Sequence, residues 1–119
     1  MEFKYKKEVK NVEQRKKYCE ILLMNNPKKI PVILEKDPKC LIDGIAKTKF
    51  LVEKDFTVAQ FELLLRSLMK MQNTDAFFLL AKGKYTLIGE HTMLDIYKKY
   101  KDKEDGFLYI VYATEVVYG

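Results

Sequence analysis

Few side chains in this sequence are equipped for covalent or acid–base chemistry. The only histidine, His91, sits in a polar stretch with no evident partner for a triad or a proton-transfer pair. Cys19 and Cys40 stand singly, without the close Cys or His spacing of a zinc site, so reduced thiols and no bound metal are expected. The simplest readings put His91 in an exposed loop, Cys19 on a helix face and Cys40 in a loop. An enzyme is therefore not expected, nor a resident cofactor. A different chemistry is offered by Gly119, which closes the segment Thr114-Glu115-Val116-Val117-Tyr118-Gly119. Glycine has no Cβ and wide backbone freedom, so its carboxylate can thread a narrow enzyme channel that bulkier residues cannot enter.

Charge narrows the partners. The sequence has a formal net charge of +5, and all of it lies in the first 29 residues, which hold nine Lys/Arg and four Glu. Such a segment suits acidic protein segments, anionic lipid headgroups or nucleic acid, or is simply a solvated helix surface. Phe3 and Tyr5 interleave with the lysines, which keeps a nucleic-acid module as an alternative. No RNA-binding aromatic motif or recognition helix accompanies them. No apolar run approaches the roughly 20 residues of a membrane span, and the opening residues lack a signal-peptide core.

The elements that must position these groups follow from pattern. Val12, Cys19, Leu22 and Leu23 recur at helical spacing, predicting one or two amphipathic helices that end before Pro27. Ile30-Pro31-Val32-Ile33-Leu34-Glu35 and Thr48-Lys49-Phe50-Leu51-Val52 read as two strands of a hairpin with a long connection through Asp43-Gly44. Thr57 and Gln60 form a capping box for a helix to about Met69, whose apolar stripe is Phe61, Leu64, Leu65 and Leu68. Residues 76–81 read as a buried strand, followed by the turn Lys82-Gly83-Lys84 and a polar stretch. Thr92 caps a short helix, and residues 107–112 make the most apolar strand, expected in the middle of the sheet. The expected fold is α+β: a ubiquitin-like β-grasp with a four-stranded mixed sheet on a central helix and two added N-terminal helices. The divisions are residues 1–26 for the helical extension, 27–113 for the core and 114–119 for a flexible C-terminal tail, the conjugation tail of the family resembled below.

At this point the sequence resembles the autophagy ubiquitin-like modifiers, the family of the GABA type A receptor-associated protein and microtubule-associated protein light chain. The resemblance rests on Lys29-Ile30-Pro31-Val32-Ile33, Lys49-Phe50-Leu51-Val52, Thr57-Val58-Ala59-Gln60-Phe61, Ala76-Phe77-Phe78-Leu79-Leu80, Gly106-Phe107-Leu108-Tyr109 and Tyr118-Gly119. It implies that Gly119 is joined to phosphatidylethanolamine after passing through activating and conjugating enzymes, with a cysteine protease for processing and release. The modified protein would mark autophagosomal or other vesicle membranes, the free form being cytoplasmic. Tubulin is a further partner candidate, and nucleic acid is not expected. A ubiquitin-like scaffold that is never conjugated is the alternative.

The same resemblance implies capture of short peptides in which an aromatic residue is followed three positions later by an aliphatic one. Such a peptide adds as a strand beside Lys49-Phe50-Leu51-Val52, and its two anchors point to opposite faces. The aromatic pocket would use Tyr18, Leu22, Pro31, Ile33, Lys49, Leu51 and Phe107. The aliphatic pocket would use Phe50, Val52, Phe56, Phe61 and Leu64. Lys29, Lys47 and Arg66 would meet acidic flanks. Taken singly, Ile33, Phe61 and Leu64 read as plain core, Lys49 as protection of an exposed edge, and Arg66 as half of an ion pair. Glu53 and Leu68 depart from the family pattern, which more often has proline and a basic residue there.

Overall fold

The computed structural model describes residues 2–40, 42–72 and 74–114, so the expectations for Gly119 and for the tail beyond Thr114 lie outside the described residues. Two helices come first, α1 (Lys4–Glu8) and α2 (Val12–Asn25). The side chain of Asn11 caps α2 by accepting from the Gln14 N–H. Two strands follow, β1 (Lys29–Lys36) and β2 (Lys49–Glu53), then the central helix α3 (Val58–Leu68). Thr57 and Gln60 form the full reciprocal capping box at the start of α3. The remaining elements are β3 (Phe78–Ala81), β4 (Tyr85–Thr86), α4 (Met93–Tyr100) and β5 (Leu108–Ala113).

All four expected strands are present, and β4 adds a fifth to give the order β2-β1-β5-β3-β4. β4 is two residues long with both side chains exposed, too short to show any alternation. β1 runs antiparallel to β2 and parallel to β5, with Ile30 opposite Val52 and Val32 opposite Leu108. All six residues of β5 are buried, as a central strand covered on both faces requires.

The two faces carry separate cores. Ile30, Val32, Leu34, Phe50 and Val52 point toward α3 and pack with Phe61 and Leu65. Ile33, Phe107, Tyr109 and Val111 point the other way and pack under Phe3, Tyr5 and Cys19. Tyr5 meets Phe107 edge-on at 5.5 Å, and Phe3 lies 4.9 Å from Tyr109. Phe3 and Tyr5 are thus buried in the protein and are not presented to a nucleobase. Cys40, read as a loop thiol, is in the turn after β1 and is buried.

Polar contacts fix the N-terminal helices to this second face. The Glu35 carboxylate accepts the backbone N–H groups of Lys4 at 2.8 Å and Tyr5 at 3.0 Å, occupying two donors at the start of α1 that the helix itself cannot satisfy. Arg15 reaches from α2 to Asp105, and Lys6 pairs with Asp102. In the connection between β1 and β2, the Tyr112 hydroxyl accepts the Ile45 N–H at 2.9 Å. A Cβ at Gly44 would stand 2.9 Å from that hydroxyl, which accounts for glycine there.

Candidate peptide-binding site

β2 lies at the margin of the sheet and, among the described residues, pairs only with β1. Its outer row of backbone donors and acceptors is therefore free for another strand. Along β2 the burial alternates: Lys49 is exposed, Phe50 buried, Leu51 half-buried, Val52 buried and Glu53 exposed. This is the two-faced pattern that anchors on opposite sides of an added strand require.

On the α2 side, Tyr18, Leu22, Lys49, Leu51 and Phe107 surround a cavity of about 310 Å³, and Lys29 and Lys47 complete its rim. Tyr18 is 38% exposed and Phe107 only 1%, so Phe107 forms the floor and Tyr18 a wall. The Lys49 ammonium is 5.1 Å from the Tyr5 ring centroid and 5.3 Å from that of Tyr18, while Lys47 is 4.8 Å from that of Phe50. These stacked lysines keep positive charge over an aromatic surface. Pro31 is buried opposite Leu51, and Ile33 has no exposure at all. Both support the pocket from beneath and do not line its opening.

On the α3 side, Phe50 and Val52 face the main core, with Phe50 edge-on to Phe61 at 5.8 Å. Phe61 is wholly enclosed, which is the plain core role that its type suggests. Phe56 is half-buried and Leu64 is 42% exposed, so an aliphatic side chain approaching β2 meets these two first. Lys29, Lys47 and Lys49 are brought together; Arg66 is not part of that group. Its guanidinium donates to the Gln72 carbonyl at 3.0 Å, pairs with Glu62 at 3.7 Å and stacks 5.4 Å from the Phe77 centroid. Those contacts fasten the end of α3 to the segment that follows it.

The sequence reading missed the polar network under the aromatic pocket. Asp105 Oδ2 accepts from Arg15 Nε at 2.9 Å and from the Tyr109 hydroxyl at 2.6 Å, while Oδ1 accepts the Phe107 N–H at 2.9 Å. Burial, then the hydrogen bond to Asp105, drives the Tyr109 pKa far up, so Tyr109 stays a neutral donor. This network fixes the Phe107 backbone and hence the pocket floor. Its sequence signal was faint, one cation among the lysines of α2 and one of several acidic residues 90 positions later.

His91 is exposed, and its backbone carbonyl accepts the Val58 N–H at 2.8 Å. Among the described residues, no three His, Cys, Asp or Glu side chains are grouped to hold a metal, and no helix is long and apolar enough to cross a membrane.

A sequence model of the family described as "Autophagy protein Atg8 ubiquitin like" matches residues 14–119. The chain belongs to this Atg8 family. It is 43% identical over 94 residues to microtubule-associated protein 1 light chain 3 gamma of Homo sapiens, covering 78% of this chain and 63% of the human protein. The chain thus spans under two thirds of that relative's length. The crystal structure of Trypanosoma brucei ATG8 superposes with a TM-score of 0.87 at 34% identity, over 100% of each chain. The ubiquitin-like β-grasp with added N-terminal helices is therefore the Atg8 fold, and an autophagy ubiquitin-like protein is what the sequence encodes.

Proposed function

We propose that this Atg8-family protein is a modifier joined through Gly119 to phosphatidylethanolamine, and that its β2 edge recruits cargo receptors and adaptors. The edge itself carries the recruitment reading: unpaired backbone beside a basic, aromatic-lined cavity on one face and exposed Leu64 on the other. Backbone pairing supplies affinity for any extended peptide, and the two side-chain sites supply selectivity.

Conjugation rests on family membership together with Gly119. A lone acyl chain anchors a protein only marginally, since each buried methylene contributes about 0.8 kcal/mol; a diacyl lipid joined by one bond gives a lasting anchor. Activating and conjugating enzymes would supply the thioester relay, and a cysteine protease would cut the product. The modifier would be cytoplasmic when free and on autophagosomal membranes when lipidated.

Two experiments test this reading. Titration with an aromatic-x-x-aliphatic peptide should show loss of binding in a Lys49→Glu/Leu51→Ala variant that keeps its fold; undiminished affinity would remove the β2 site. Reconstituted transfer to phosphatidylethanolamine should fail for Gly119→Ala, and full transfer would remove Gly119 as the point of attachment.

A further inference from the structure

A second cleft lies across the sheet from the peptide edge, where the β3–β4 hairpin faces α1 and the end of α4. It encloses about 430 Å³ and is lined by Lys6, Lys82, Lys84, Tyr85, Tyr100 and Tyr109, among others. Two carboxylates also reach it, Glu2 and Asp102, but each has a partner. Asp102 Oδ2 accepts from Lys6, and its Oδ1 accepts the N–H groups of Glu104 and Asp105. Glu2 lies 3.9 Å from the Lys7 ammonium. Lys82 and Lys84 have no ion pair or side-chain hydrogen bond among the described residues, so the cleft carries surplus positive charge at the hairpin tip.

The backbone there is rigidly set. Lys82 N–H donates to the Tyr109 carbonyl at 2.8 Å, and Lys84 N–H closes the turn on the Ala81 carbonyl at 3.0 Å. Lys82 has φ of 57° and Gly83 of 74°, so a lysine occupies a left-handed position that glycine or asparagine would fill more easily. Beside the tip, Tyr85 and Tyr100 stack at 5.1 Å with their planes 22° apart. Tyr85 is 48% exposed, and Ile88, just beyond β4, is 56% exposed. Two exposed lysines on a hydrogen-bonded turn, bordered by a tyrosine with a polar tip, match a phosphate at a bilayer surface, where tyrosine and isoleucine can enter the headgroup zone.

We propose that this cleft binds the phosphomonoester of an anionic lipid headgroup, Lys82 and Lys84 holding the phosphate while Tyr85 and Ile88 rest on the bilayer. The phosphate chemistry stands independently of lipid conjugation; the choice of a lipid over a free phosphate rests on the membrane reading above. The test uses unconjugated protein, so a failure at Gly119 cannot affect it. Binding is measured to phosphatidylcholine vesicles carrying a few mole per cent of a phosphatidylinositol monophosphate, and to phosphatidylcholine vesicles matched in charge with phosphatidylserine. The soluble inositol phosphate headgroup serves as competitor.

Tighter binding to the phosphoinositide vesicles, with competition by the headgroup, is expected. Lys82→Gly/Lys84→Ala should weaken it about tenfold or more, as loss of a charge-assisted hydrogen bond does. Glycine suits the Lys82 backbone, so this variant tests charge without straining the turn. Lys98→Ala/Lys103→Ala, which removes two exposed lysines that do not line the cleft, should bind as the parent does. Equal binding to the charge-matched phosphatidylserine vesicles, or no effect of the Lys82/Lys84 variant, would overturn the site. Binding of the soluble headgroup without vesicle binding would overturn its assignment to lipid.

Discussion

Arg15 Nε donates to Asp105 Oδ2 at 2.9 Å, and the two side chains retain only 5% and 0% of their solvent exposure. The pair joins α2 to the loop that leads into β5, 90 positions later in sequence. Arg15 Nη1 also donates to the Val9 carbonyl, so one guanidinium ties α1, α2 and the core together. Burial opposes the charge on Arg15 most strongly, but the hydrogen bond to Asp105 and the negative potential of the neighbouring groups together outweigh it and raise its pKa.

Removing one partner of such a pair leaves the other buried and uncompensated. Arg15→Met should therefore lower stability by about 3–5 kcal/mol, measured by urea unfolding. Because Asp105 also orders the Phe107 backbone, the same variant should weaken peptide binding at the aromatic pocket.

Asp102 gives the N-terminal attachment a pH dependence. Burial alone would raise its pKa, but the Lys6 hydrogen bond and the N–H groups of Asp105 and Glu104 together hold it below the ordinary 3.8. A carboxyl depressed in the folded state contributes its full stabilisation above the unfolded value and loses it as pH falls through the folded one. Thermal melts should thus show an acid-side loss of stability below pH 3.8 that Asp102→Asn lacks, with the variant less stable than the parent at neutral pH.

Neighbouring residues of β2 should separate stability from binding. Phe50 is 6% exposed and packs on Phe61, so Phe50→Ala should cost about 3–5 kcal/mol in chemical denaturation. Leu51 is half-buried at the cavity, and Leu51→Ala should change stability little while weakening an aromatic-x-x-aliphatic peptide measurably in calorimetry.

Cys19 should behave as an inert thiol. Burial, then the nearby negative charges of Asp105 and Glu20, push its pKa up to about 12. Alkylation of Cys19, followed by peptide mass spectrometry, should be negligible at neutral pH in the native protein and should accelerate in Arg15→Met, reporting release of the N-terminal helices.

The strands and the central helix were legible because their signals are local. The apolar run from Ile30, the run from Phe107 and the Thr57–Gln60 box each declare an element without reference to the rest of the chain. The alternation of burial along β2 was legible too, since Phe50 and Val52 are apolar where Lys49 and Glu53 are charged. β4 was not, because two exposed residues carry no period. Nor was the depth of Ile33 and Phe61, which is set by which helix lies over each sheet face. Arg15 reads as one more solvated charge on a lysine-rich helix until Asp105 is brought beside it by the fold.

The parallel pairing of β1 with β5 has a mechanical consequence. Opposed forces applied at residues 29 and 113 would slide these neighbours past each other, loading their ladder hydrogen bonds in shear all at once instead of unzipping them singly. A domain so strained should yield only at high force in single-molecule extension. It would act as a stiff link between whatever grips its two ends.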